Sequence, residues 1–192
     1  AQATVGRGRY GDAVPMDLNA RRQPMTGAWL AVTLAFLLPL GVATMPAARA
    51  ATRLDAAFAA ALEQTTPKVL AWRRDLHQNP ELSNREFRTS KLVAAHLRSL
   101  GLEVETGVAR TGVVAVVQGA LPGPTIALRA DMDALPVTEE VELPFRSRAT
   151  TTFRGETVGV MHACGHDAHT AILMGVAEAL VAVRAQLPGR VV

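Results

Sequence analysis

The residues equipped for chemistry are concentrated in one short stretch, Met161-His162-Ala163-Cys164-Gly165-His166-Asp167-Ala168-His169. Three of the five histidines and the only cysteine of the 192-residue chain lie there. Imidazole, thiolate and carboxylate are the groups that bind zinc, cobalt and manganese. Cys164 and His166 stand two apart across Gly165, and glycine accepts backbone angles that can turn two such side chains toward one point. Asp167 and His169 follow as the chain enters a helix, as candidates for supporting or additional contacts. The bland alternative is a set of polar loop residues beside a packed histidine. The density of the cluster favours a metal site with Cys164 and His166 as ligands.

A second group is Leu128-Arg129-Ala130-Asp131-Met132-Asp133-Ala134-Leu135-Pro136, where an apolar run leads into two carboxylates. Ligands bind at the carboxyl ends of strands in α/β sheets, and strand alternation would put Asp131 and Asp133 on the same side. Carboxylates that close repel unless a cation or a donor intervenes. A metal could be that cation, or Asp133 could orient a metal-bound histidine; a solvated turn is the plain alternative. Glu139, Glu140 and Glu142 read as a solvated loop face. His77 and His96 lie on helical segments and read as surface or packing residues, and Trp72 and Phe87 as core.

Other chemistries lack their residues. There is no Gly-x-Ser-x-Gly, P-loop or His-Glu-x-x-His, and no deaminase pairing of His-x-Glu with Pro-Cys-x-x-Cys. Thiol catalysis by Cys164 with His162, His166 or His169 as base would leave the clustered ligands unused. The net charge is +3, and five arginines against two acids in residues 1–50 account for all of it. Residues 51–192 are neutral, with 15 charges of each sign. With no basic patch, nucleic acid is not an expected partner.

Positioning these groups takes an α/β layered framework. Thr52 caps a helix whose apolar stripe is Leu54, Phe58, Ala61 and Leu62. Thr66-Pro67 reads as the cap and first residue of a second helix, carrying Val69, Leu70, Trp72, Arg73 and Leu76 as far as Asn79-Pro80. A third starts at Asn84, turns Phe87, Val93, Leu97 and Leu100 inward, and stops at Gly101. Residues 113–117 and 125–130 read as buried strands, separated by Gly119 and a Pro122-Gly123-Pro124 turn. The polar connection 138–157 has room for an edge hairpin. Residues 168–186 read as a helix with Ile172, Leu173, Val176, Leu180 and Val183 along one side, and Val191-Val192 opens a further strand. A domain that stops as a strand opens is expected to be incomplete at its C-terminus.

The first 50 residues read as a leader. Arg21-Arg22, an uncharged run with its apolar heart within about 28–45, and Ala48-Arg49-Ala50 form the three parts of a secretory signal peptide. Met16 or Met25 makes the better start. The expectation is an exported protein, periplasmic or secreted, with no stable membrane association after cleavage; an uncleaved anchor is the alternative. A lone cysteine in such a protein forms no internal disulfide, and metal ligation would shield its thiol.

In residues 72–82, 128–136 and 158–175 the sequence resembles the metal-dependent aminoacylase and carboxypeptidase family, in the branch of hippurate hydrolase and indole-acetyl-amino-acid hydrolases. The resemblance spans about residues 68–192, with Asn79 where the family often has histidine. It implies a layered zinc-peptidase-like catalytic domain with helices on a central mixed sheet. It also implies two divalent ions, zinc or manganese foremost, and a homodimer that hydrolyses N-acyl amino acids or short peptides. Cys164 and His166 match the family's first metal ligands. Asp133 matches the catalytic-site aspartate that supports a metal-binding histidine, with Asp131 beside it. The general-base glutamate, in a Glu-Glu pair, the remaining ligands and the dimerisation domain are expected beyond Val192. Residues 1–192 alone are therefore expected to be inactive and to bind metal weakly. A non-catalytic metal-binding module and a truncated inactive fragment are the rival readings.

Overall fold

A computed structural model describes the chain from residue 45 onward, with side chains from residue 53. Most of the leader thus lies outside the described residues, and residues 45–50 already belong to the first helix. No described helix is long and apolar enough to cross a membrane.

Helix α1 runs unbroken over Met45–Gln78, so the expected break at Thr66-Pro67 does not occur. An interior proline removes a backbone donor and normally kinks or ends a helix. Here the hydroxyls of Thr65 and Thr66 both donate to the carbonyl of Leu62, at 3.0 and 2.9 Å. Residues at helical spacing keep the same face turned inward through the proline, among them buried Thr65 and Leu76 and half-buried Val69. Packing decides a helix's extent more than local propensity does.

Helix α2 spans Phe87–Ser99, three residues later than the sequence suggested, because Asn84 takes a left-handed turn conformation at φ +63°. Its first turn is capped from outside: the Glu81 carboxylate accepts from the backbone N–H groups of Arg88 (2.9 Å) and Thr89 (2.8 Å). That cap turns Thr89, Ser90 and Ala94 inward. Phe87, expected in the core, is 52% exposed, while Trp72 is half-buried with its ring 4.5 Å from that of His96. Gly101, at φ +75°, ends the helix as read.

Strands β1 (Val104–Val108) and β2 (Gly112–Ala115) form an antiparallel hairpin. Next come β3 (Val117–Gln118) and β4 (Leu121–Ile126), and then β5 (Thr150–Phe153) and β6 (Glu156–Gly159), which form the expected edge hairpin. Helix α3 (His166–Ala182) leads to β7 (Pro188–Val191). The sheet order is β3-β7-β4, with β4 parallel and β3 antiparallel to β7, so this is a mixed sheet in an α/β arrangement.

Two strand readings shift. The apolar run 113–117 is divided between two sheets, and the strand expected at 125–130 instead occupies 121–126, through the proline–glycine segment. Glycines make this possible by letting backbones nearly touch. A Cβ on Gly189 would sit 2.0 Å from the Pro124 carbonyl oxygen, and one on Gly119 would sit 2.2 Å from that of Leu187. Helix α3 starts two residues before the expected position and leaves Ile172 53% exposed, with Ala171, Met174 and Ala179 buried instead.

Candidate metal centre

Beyond β4 the chain runs without regular structure to two adjacent residues that pair in different directions. Ala134 bridges Leu82 in parallel and Leu135 bridges Met161 antiparallel. The N–H of Ala134 donates to the Glu81 carbonyl (2.7 Å), and Leu135 and Met161 exchange bonds of 2.9 and 3.0 Å. These bridges bring Asp133 to the N-terminus of α3. Gly165 caps that helix at φ +86°, an angle glycine takes without strain, and its carbonyl accepts from the N–H groups of Ala168 and His169.

His166 is the first residue of α3. Its Nδ1 proton is shared by the Asp133 carbonyl oxygen (2.9 Å) and carboxylate Oδ1 (3.1 Å). That bond fixes the tautomer and leaves the Nε2 lone pair free, the usual arrangement behind a metal-ligating histidine. Cys164 is exposed just outside the helix. Thiolate and oriented imidazole are fitting donors for a zinc-like ion. Among the described residues no third His, Cys, Asp or Glu completes a cage with them.

The two aspartates part company. Asp133 stands behind His166, whereas the Asp131 side chain pairs with exposed Arg129. Only the carbonyl of Asp131 serves the site, accepting from Thr170 Oγ1 at 3.0 Å, one turn into α3. His169 is exposed, its ring centre 5.8 Å from that of His166.

Two residues set aside in the sequence prove to be central. His77 is 3% exposed and Glu139 also 3%, so neither is a surface group. His77 Nδ1 meets Asp167 Oδ2 at 2.8 Å, and Nε2 meets Glu139 Oε1 at 3.0 Å. Arg73, one turn earlier on α1, also pairs with Asp167 Oδ2, at 3.0 Å. Glu139 Oε2 accepts from the Ser147 N–H at 2.6 Å. Burial opposes ionisation of Glu139, but the bonds from His77 and Ser147 prevail and hold its carboxyl below the usual glutamate range. The one sequence signal was the i, i+4 spacing of Arg73 and His77, which puts both on one helix face.

His162 is buried, and both its ring nitrogens lack a protein partner among the described residues. Burial is the main cause of a pKa lowered to about 4; the charge of Asp167 opposes the shift, and His77 and His166 add to it. The ring is therefore neutral at pH 7.

Residues 127–192 match the sequence model of Peptidase family M20/M25/M40. The chain is 50% identical over 124 residues to "Thermostable carboxypeptidase 1" of Saccharolobus solfataricus, covering 64% of this chain and 30% of that protein. It is 43% identical over 125 residues to "N-acetylcysteine deacetylase" of Bacillus subtilis, covering 65% of this chain and 31% of that one. With "N-acyl-L-amino acid amidohydrolase" of Geobacillus stearothermophilus it shares 41% over 130 residues, 68% of this chain and 33% of that one. The chain thus spans about a third of the length of these relatives. Among solved structures, the Bacillus subtilis YXEP protein, described as a dinuclear metal binding peptidase from the M20 family, superposes with a TM-score of 0.60 at 42% identity. That match covers 67% of this chain and 34% of that one. The fold, the Cys164–His166 loop and these relatives agree: residues 127–192 match peptidase family M20/M25/M40, and the chain is similar to about a third of the length of such proteins.

Proposed function

We propose that this chain forms the metal-loop portion of a divalent-metal hydrolase that cleaves amide bonds of N-acyl amino acids or short peptides. The observation that carries the reading is the bond from His166 Nδ1 to Asp133, which leaves Nε2 free on the residue two positions after Cys164. Cys164 and His166 would hold one ion of a pair, zinc or manganese, and Asp133 keeps the imidazole in its ligating tautomer. A divalent ion held there would supply Lewis-acid polarisation of an amide carbonyl and a water nucleophile near neutral pH. The substrate class is supported by the names of the deacetylase and amidohydrolase relatives.

Proton transfer to the leaving amine needs a carboxylate free to move a proton. Glu139-Glu140 is the one Glu-Glu pair in the sequence. Glu139 is committed to His77 and Ser147 and is unsuited to that work. Residues 1–192 span about a third of these relatives' length, and by themselves are expected to hydrolyse no amide. Export through the leader and assembly as a homodimer belong to the same proposal.

The test is metal content and hydrolysis of an N-acyl amino acid panel by the intact protein. Cys164→Ala and His166→Ala are expected to lose bound metal and hydrolysis together. Unchanged occupancy in both would overturn the ligand assignment. Occupancy without hydrolysis in the intact wild type would favour a non-catalytic metal-binding module.

A further inference from the structure

The sequence of contacts through His77 reaches both flanks of the Met161–His169 segment. On the C-terminal flank the link is direct: His77 Nδ1 to Asp167, the residue after His166. On the N-terminal flank it is relayed. His77 Nε2 meets Glu139 Oε1; the other oxygen of that carboxylate accepts from the Ser147 N–H; and Ser147 Oγ donates to the carbonyl of Val160 at 2.6 Å. Val160 immediately precedes Met161, whose own backbone pairs with Leu135 two residues after Asp133. The relay is buried throughout: His77, Glu139, Ser147, Val160 and Asp167 are each at most 4% exposed. Both carboxylates face the same ring from opposite sides, so each bond needs a proton between nitrogen and oxygen, and no other residue touches both flanks in this way among the described contacts.

We propose that His77 is a positioning residue for the metal loop, clamping its two ends so that Cys164 and His166 are held at a fixed separation. The clamp explains why a helix otherwise covered by α3 carries a buried histidine between two acids. A leucine there would fill the space but leave Asp167 and Glu139 as buried carboxylates short of a donor, which is costly. The inference rests on Cys164 and His166 binding metal, and the experiment separates the two.

The probe is Co²⁺ titrated into the intact protein after metal removal, followed by the thiolate-to-cobalt charge-transfer band and by equilibrium competition with a chelator. Wild type is expected to show the band, and Cys164→Ala to lose it. A wild type without the band overturns the metal assignment itself. His77→Gln is expected to weaken Co²⁺ binding about tenfold or more, the scale of groups that orient ligands without touching the ion, and to change the band per bound ion. A purely structural role would lower the unfolding midpoint and leave band and affinity alone. Ser147→Ala cuts the relayed arm, along with the bond Ser147 Oγ accepts from the Ala149 N–H, and preserves the His77 pair; it covers the case of a His77→Gln chain that does not fold. It is expected to weaken Co²⁺ binding about threefold, a share of the loss ascribed to ligand-orienting groups. Affinity within twofold of wild type and an unaltered band, in whichever of these variants folds, would overturn the clamp while leaving the ligands intact. His96→Gln, on the same packed layer but outside the relay, serves as the control expected to leave the spectrum unchanged.

Discussion

His166 Nδ1 has one proton and two acceptors on the same residue, the carbonyl and the carboxylate of Asp133. Asp133→Ala removes only the carboxylate. The carbonyl still favours the ligating tautomer, so metal affinity is expected to fall by about tenfold, the low end of what loss of an orienting partner does; chelator competition measures it. His162 makes a different demand. Its folded pKa of about 4 lies below the ordinary 6.5, so the unfolded chain binds an extra proton between those values. Stability is then full above pH 6.5 and falls as pH drops toward 4, by about 3 kcal/mol for this group in the metal-free protein. His96, lowered by burial, acts in the same direction. Urea unfolding of the metal-free protein across that range should show the loss, and His162→Gln should remove most of it. At this scale the sequence was readable where chemistry is local. Cys164, His166 and Asp133 stand out by type and spacing. His77 and Glu139 do not, because the partners of His77 lie 90 and 62 residues away and no short pattern encodes such a pairing.

Helices α1 and α3 meet closely where Gly175 faces Val69. A Cβ on Gly175 would approach Val69 Cγ2 to 2.5 Å. The same contact brings Arg73 and His77, one and two turns further along α1, against Asp167. Gly175→Ala gains helix propensity but must displace a branched side chain, and overpacking of this kind costs about 1–3 kcal/mol. Thermal unfolding should show that loss, and adding Val69→Ala should recover part of it, as a double-mutant cycle would reveal. Element boundaries were less legible than element types, and each shift has a physical reason. Pro67 looked like a helix start but sits within a helix held by its inward face. Asn84 looked like a cap but makes a turn, and the Glu81 carboxylate caps α2 instead. The Pro122–Pro124 segment looked like a turn, yet it pairs as a strand because Gly189 opposite it has no side chain.

Across the whole molecule, β7 returns between β3 and β4, and its pairing depends on backbone contact at Gly189. Gly189→Ala would meet the Pro124 carbonyl and would also place alanine at φ +72°. Both faults fall on the central strand of the mixed sheet, so little folded protein is expected, with circular dichroism and limited proteolysis as the readout. The α/β class was visible from the alternation of helical and apolar runs. The mixed order of the strands was not, since residues 188–191 carry too little pattern to say which neighbours they choose. The paired bridges at Ala134 and Leu135 have a kinetic consequence. They join residue 82 to 134 and 135 to 161, and closing such distant contacts is slow compared with forming a helix. During refolding, helical signal should therefore rise well before the protein can capture an ion. Stopped-flow circular dichroism run beside a cobalt absorbance trace would resolve that delay as the time the chain needs to bring three remote segments to one loop.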